Sequence, residues 1–243
     1  MKLQDINPKD ITLLKEKYQS AYPKVLDKII KEDYPIQYLI GNVDFYNINV
    51  LVNESVLIPR YETEFLVEKT IKKIKDLKLS NPKILELGIG SGCISIALKK
   101  NISCLIKGVD ISNEAVITAK KNASRNNVDV EFTTKDMLEE DYENYDIIIS
   151  NPPYVSLSCP VGKSTSFEPQ NAIFAPDEGM YFYQEIIKKI SKLNIKPKLI
   201  AFEIGYDETL KIELLNEKYL KYDCDIEKDL AGKDRYAFLT KIE

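Results

Sequence analysis

A chain of 243 residues with 44% apolar side chains can bury a sizeable core, as one α/β domain with an appendage or as two small domains. Its net charge of −4 gives no overall basic field for gathering nucleic acid, although a local basic patch can coexist with an acidic total. There is no histidine, which excludes histidine acid–base catalysis, Ser-His and Cys-His nucleophiles and histidine-ligated metals.

Residues 1–5 lack an apolar signal-peptide core and no run reaches membrane-spanning length, so a soluble cytoplasmic protein is expected. Cys93, Cys104, Cys159 and Cys224 form no Cys-x-x-Cys pair and read as reduced thiols. Over residues 8–33, Ile11, Leu14, Tyr18, Val25, Leu26, Ile29 and Ile30 recur at helical spacing, with a break expected near Pro23. Tyr34-Pro35 closes this part, because the residue before a proline avoids helix. Phe45-Tyr46 and the run from Ile48 to Val52 flank Asn47 and predict a small hairpin. A helix is expected over about 62–78.

From residue 83 the chain alternates strand-like and helix-like runs, which predicts a mainly parallel sheet covered on both faces. The strand-like runs are 83–87, 105–109, 130–133, 146–150 and 199–204; the helix-like runs begin near Ser91, Ser112, Gly179 and Asp207. Ser112 is a natural N-cap. Residues 155–178 form a long Pro- and Ser-rich segment, of a length more often functional than idle. The runs 220–226 and 235–241 predict an edge hairpin around Ala231-Gly232.

Three motifs carry chemistry. Ile84-Leu85-Glu86-Leu87-Gly88-Ile89-Gly90-Ser91-Gly92 is a buried strand running into three alternate glycines and a helix. Glycine allows the sharp turn and close approach of backbone to a ligand, though a plain strand–helix turn uses it too. A dinucleotide fingerprint wants its third glycine one position later, where Cys93 stands, so a compact nucleoside such as S-adenosylmethionine is favoured over NAD. Asp110, 22 residues beyond Gly88 at the end of the next strand, suits both ribose hydroxyls. Asp136 and Met137, after the third strand, suit the amine and ring of an adenine.

The third motif is Asn151-Pro152-Pro153-Tyr154, placed where the strand 146–150 ends. Asn151 Oδ1 and the Pro152 carbonyl can each accept an N–H of a planar amide or exocyclic amine, with Tyr154 packed on the planar group. An amide nitrogen is a poor nucleophile, so catalysis would come from alignment and electrostatics without a strong general base.

Together these residues resemble a class I S-adenosylmethionine-dependent methyltransferase, and more closely the family of peptide-chain release factor glutamine N5-methyltransferases. The resemblance runs from about residue 35 to the end. It includes Pro35-Ile36-Gln37-Tyr38-Leu39-Ile40-Gly41, Ile58-Pro59-Arg60-Tyr61-Glu62-Thr63-Glu64, Phe167-Glu168-Pro169-Gln170, Phe202-Glu203-Ile204-Gly205 and Asp229 to Arg235. It implies a Rossmann-like seven-stranded sheet, mainly parallel, with a C-terminal antiparallel hairpin. The implied organisation is a reduced helical N-terminal domain (1–34), a hairpin and linker (35–61) and a methyltransferase domain (62–243). It further implies that Glu86, Gly88, Ile89, Gly90, Ser91, Gly92, Asp110, Asp136, Met137 and Asn151 line the S-adenosylmethionine site, with no metal. Asn151, Pro152, Pro153 and Tyr154 would hold the substrate glutamine of the Gly-Gly-Gln loop of translation release factors. Arg60, Glu62 and Glu64 would lie on the wall between the N-terminal part and the catalytic domain. A monomer without direct nucleic-acid partners is expected. Methylation of a nucleobase amino group in DNA or RNA is the enzymatic alternative, and a cofactor-binding scaffold the non-catalytic one.

Overall fold

The computed structural model describes residues 6–242, so the reading of residues 1–5 lies outside the described residues. The N-terminal part is helical: α1 (Pro8–Tyr18), α2 (Tyr22–Glu32) and the short α3 (Ile36–Ile40). Asn7 caps α1 by accepting from the Lys9 amide at 2.9 Å. The break expected near Pro23 lies earlier, in a 3-10 turn at Gln19–Ala21, and Pro23 stands in the first turn of α2. Proline fits there because first-turn amides have no intrahelical acceptor. Ile6, Leu14, Ile29, Tyr34, Ile36 and Leu39 give these helices a core of their own.

β1 (Asn42–Phe45) and β2 (Ile48–Leu51) form the expected hairpin, turned at Tyr46 and Asn47, whose φ values are 37° and 64°. Two left-handed residues in the turn match the twist of the strands they join. The free edge of β2 is covered by α6 (Asn113–Arg125) rather than by another strand. Asn122 accepts from the Leu51 amide at 2.7 Å and donates to the Leu51 carbonyl at 3.0 Å. One turn on, Asn126 donates to the Asn49 carbonyl at 2.9 Å. Four helical residues rise about 6 Å and two strand residues about 6.6 Å, so the two asparagines meet alternate residues of β2.

After α4 (Tyr61–Asp76) come β3 (Lys83–Leu87), α5 (Cys93–Asn101), β4 (Leu105–Asp110), α6, β5 (Glu131–Thr134) and β6 (Ile147–Ser150). The two-residue strands β7 (Val155–Ser156) and β8 (Phe174–Ala175) pair across the long loop. α7 (Tyr181–Ser191), β9 (Leu199–Glu203), α8 (Thr209–Tyr219), β10 (Asp223–Lys228) and β11 (Asp234–Thr240) complete the chain. Seven strands lie in the order β10-β11-β9-β6-β3-β4-β5. All neighbours are parallel except β11, which is antiparallel to both β9 and β10. Successive residues face opposite sides: Ile84, Ile147 and Ile149 pack with α4 and α5, while Leu85, Leu87 and Ile148 pack with α7. Strand order reverses at β3, whose neighbours β4 and β6 lead away in opposite directions. Ligands bind beyond the carboxyl ends of strands at such a switch point. Among the described residues no helix is long and apolar enough to cross a membrane.

Candidate active site

Beyond the carboxyl ends of β3, β4 and β6 lies a cavity of about 580 Å³. The chain leaves β3 at Leu87 and must turn at once into α5, so Gly88, Gly90 and Gly92 take positive φ, 75°, 51° and 78°. A Cβ on Gly90 would meet nothing within 4 Å, and one on Gly88 only Met137 Cε at 3.7 Å. These two glycines, with Ile89 and Ser91, present the turn to the cavity. Gly92 serves packing instead: a Cβ there would lie 2.9 Å from Ala119 and 3.0 Å from Phe132, and the residue does not line the cavity.

Asp110, at the end of β4, accepts from the Gly90 amide at 2.8 Å and from the Ser112 amide at 2.9 Å. Burial raises its carboxyl above the ordinary range, and the two amides pull it back. Each oxygen keeps a lone pair for a further donor. Ser112 caps α6 as expected, accepting from the Ala115 amide at 3.2 Å. Beyond β5, Asp136 and Met137 line the wall, and Asp136 accepts from the Leu138 amide at 2.8 Å, which fixes this turn.

Glu86 is the most telling group. Its side chain points from β3 to the α5 face and is only 1% exposed. Oε2 accepts from the Ser95 amide at 2.9 Å and from the Ser95 hydroxyl, whereas Oε1 has no partner. Burial pushes the carboxyl up to about 8, against both Ser95 bonds. A buried acceptor without a donor, on a cavity wall, is chemistry suited to an incoming ammonium.

Asn151 and Pro153 reach the cavity from the end of β6, whose last residue, Ser150, donates its hydroxyl to the Leu87 carbonyl at 2.6 Å. Asn151 Nδ2 donates to Thr63 Oγ1 at 3.2 Å, the Thr63 hydroxyl donates to Glu203 Oε2 at 2.7 Å, and the Tyr154 hydroxyl donates to Glu203 Oε1 at 3.3 Å. The Tyr154 ring packs against the α7 side of the core, so the structure does not bring it, or the buried Pro152, to the cavity wall. Thr63 and Glu203 stand in motifs that sequence reasoning singled out without a role. Contacts between residues 140 positions apart leave no local signal.

The outer wall joins the two halves of the chain. Leu57, Pro59 and Arg60 line it from the linker, and Pro169, Asn171 and Ala172 from the long loop. Glu168, with a side chain 4% exposed, binds Arg60 Nη2 at 2.6 Å and accepts from the Ile58 amide at 3.0 Å. Next to it, Phe167 meets the Tyr34 ring edge-on with centroids 4.9 Å apart, and Lys163 donates to the Lys31 carbonyl at 3.2 Å. Glu62 and Glu64 occupy the first turn of α4 and do not line the cavity.

Residues 62–162 match the Methyltransferase small domain family. The release factor glutamine methyltransferase of Flavobacterium psychrophilum is 40% identical over 215 residues, covering 85% of this chain and 75% of that protein. Its counterpart from Enterococcus faecalis is 37% identical over 211 residues, covering 84% and 75%. The crystal structure of ribosomal protein L11 methylase from Lactobacillus delbrueckii subsp. bulgaricus shares the fold, with a TM-score of 0.56 at 20% identity over 79% of this chain and 84% of that one. Identity at this level extends over most of both lengths and well beyond the shared catalytic core. The chain therefore belongs to the release factor glutamine methyltransferase family, on a class I methyltransferase fold.

Proposed function

We propose that this chain passes the methyl group of S-adenosylmethionine to the side-chain amide nitrogen (N5) of the glutamine in the Gly-Gly-Gln loop of translation release factors. The observation that carries this reading is one cavity holding both the partnerless Glu86 Oε1 and the Asn151 amide tied by its nitrogen to Thr63. Glu86 fits the ammonium end of the cofactor, Asp110 its ribose hydroxyls, and Asp136 with Met137 its adenine. Bound there, S-adenosylmethionine supplies an electrophilic methyl group on a cationic sulfur.

The residues of the chain then handle the nitrogen. Asn151 Oδ1 accepts an N–H of the substrate amide, which turns the nitrogen toward the methyl group. Alignment and fixed dipoles lower the barrier, and the methylated nitrogen sheds its proton afterwards. No strong base is needed, in keeping with a chain that has no histidine. The glutamine enters between the linker and the 169–172 turn, and the work is done in the cytoplasm, where release factors act. Incubation with labelled S-adenosylmethionine should label a release factor and not its Gln-to-Ala loop variant. Label appearing in RNA or DNA, with none in any release factor, would overturn the reading.

A further inference from the structure

Two buried polar residues stand in line behind Asn151: Thr63, in the first turn of α4, which lines the cavity and bonds Asn151, and Glu203, at the end of β9, which bonds Thr63; they are 3% and 1% exposed. The two ends of an asparagine amide are nearly equal in shape, so packing alone does not choose which faces inward. Hydrogen bonding chooses here. The single hydroxyl proton of Thr63 is committed to Glu203 Oε2 at 2.7 Å, which leaves only lone pairs toward Asn151, and Nδ2 fills that place at 3.2 Å. We propose that Thr63 and Glu203 are positioning residues that hold the Asn151 amide with its oxygen toward the cavity. The catalytic consequence rests on the methyl-transfer reading above; the geometry does not.

The direction of this relay depends on an ionised Glu203. Burial raises its carboxyl to about 7, opposed by the Thr63 bond, the Arg235 charge and the Tyr154 bond, while Glu62 adds to the rise. Tyr183, Tyr236 and Cys93 also face it, and all three are held above their ordinary values, hence neutral near pH 7. Once protonated, Glu203 donates to Thr63 Oγ1, and Thr63 turns its own proton to Asn151. The amide then flips its NH₂ inward, where it opposes the N–H edge of a substrate. Turnover falls as pH drops through about 7, with Glu203 as the cause.

The test follows the Asn151 side-chain NH₂ resonances of ¹⁵N-labelled protein, identified by their loss in Asn151→Ala, together with kcat on a release factor and cofactor Kd by calorimetry. In the unsubstituted protein and in Thr63→Ser the resonances should titrate with a midpoint near 7; in Glu203→Gln the titration should vanish. Thr63→Val should cut kcat on the order of tenfold with cofactor Kd unchanged, and Thr63→Ser should recover most of that loss. Resonances that ignore pH in the unsubstituted protein, or a Thr63→Val kcat within twofold, would refute the positioning role. The expected titration without methyl transfer to any release factor would keep that role and sink the substrate assignment instead.

Discussion

Asn151 acts through geometry, so its removal should cost rate more than binding. Asn151→Ala is expected to lower kcat on the order of a hundredfold or more, with a smaller loss of cofactor affinity. Asp110→Ala should raise the cofactor KM and spare kcat, and steady-state kinetics on the two variants separate these roles. Glu86 offers a different readout. Its carboxyl is held at about 8, and an ammonium brought to Oε1 would pull that value down. Cofactor binding near pH 7.5 should therefore release a proton. Calorimetric enthalpies in buffers of different ionisation heat should differ for the unsubstituted protein and coincide for Glu86→Gln.

At the scale of elements, the hairpin and the glycine turn share one fastener. Asn122 bonds both the amide and the carbonyl of Leu51 and also donates to the Ser91 carbonyl at 2.9 Å. Asn122→Ala leaves the part-buried amide and carbonyl of Leu51 and the buried Ser91 carbonyl unmatched and should cost about 2–4 kcal/mol, read as a lower denaturant midpoint at unchanged slope. The same element scale shows what could be read beforehand. Strands buried on both faces read as apolar runs, and the alternate glycines and Asn151 stand directly at strand ends, so sheet and switch point were legible. α3 was not, because the five residues Ile36–Ile40 are too few to display a helical period. The break at Gln19–Ala21 contains neither glycine nor proline and gives no local signal. Thr63, Glu168 and Glu203 act through partners 88 to 140 positions away, which only the folded chain brings together.

For the whole molecule, the raised carboxyls set a pH dependence of stability. Glu86, Glu203 and Glu208 are pushed by burial to about 8, 7 and 7, from an ordinary 4.5. A folded-state value above the unfolded one means that their contribution is complete below about 4.5 and is lost as pH rises through 7 to 8. The Tm of cofactor-free protein should accordingly fall between pH 6 and about 8.5, with a shallower slope in Glu86→Gln. A second whole-molecule property lies in the Ile58 amide, whose acceptor is the Glu168 carboxylate and not a carbonyl of its own element. That carboxylate also anchors Arg60, and its neighbour Phe167 rests on Tyr34 of the helical part. A single exchangeable proton thus sits at the junction of linker, long loop and N-terminal helices. Its deuterium uptake clocks the parting of those three pieces, and a docked release factor loop that braces the mouth should slow that clock while the sheet amides keep their own time.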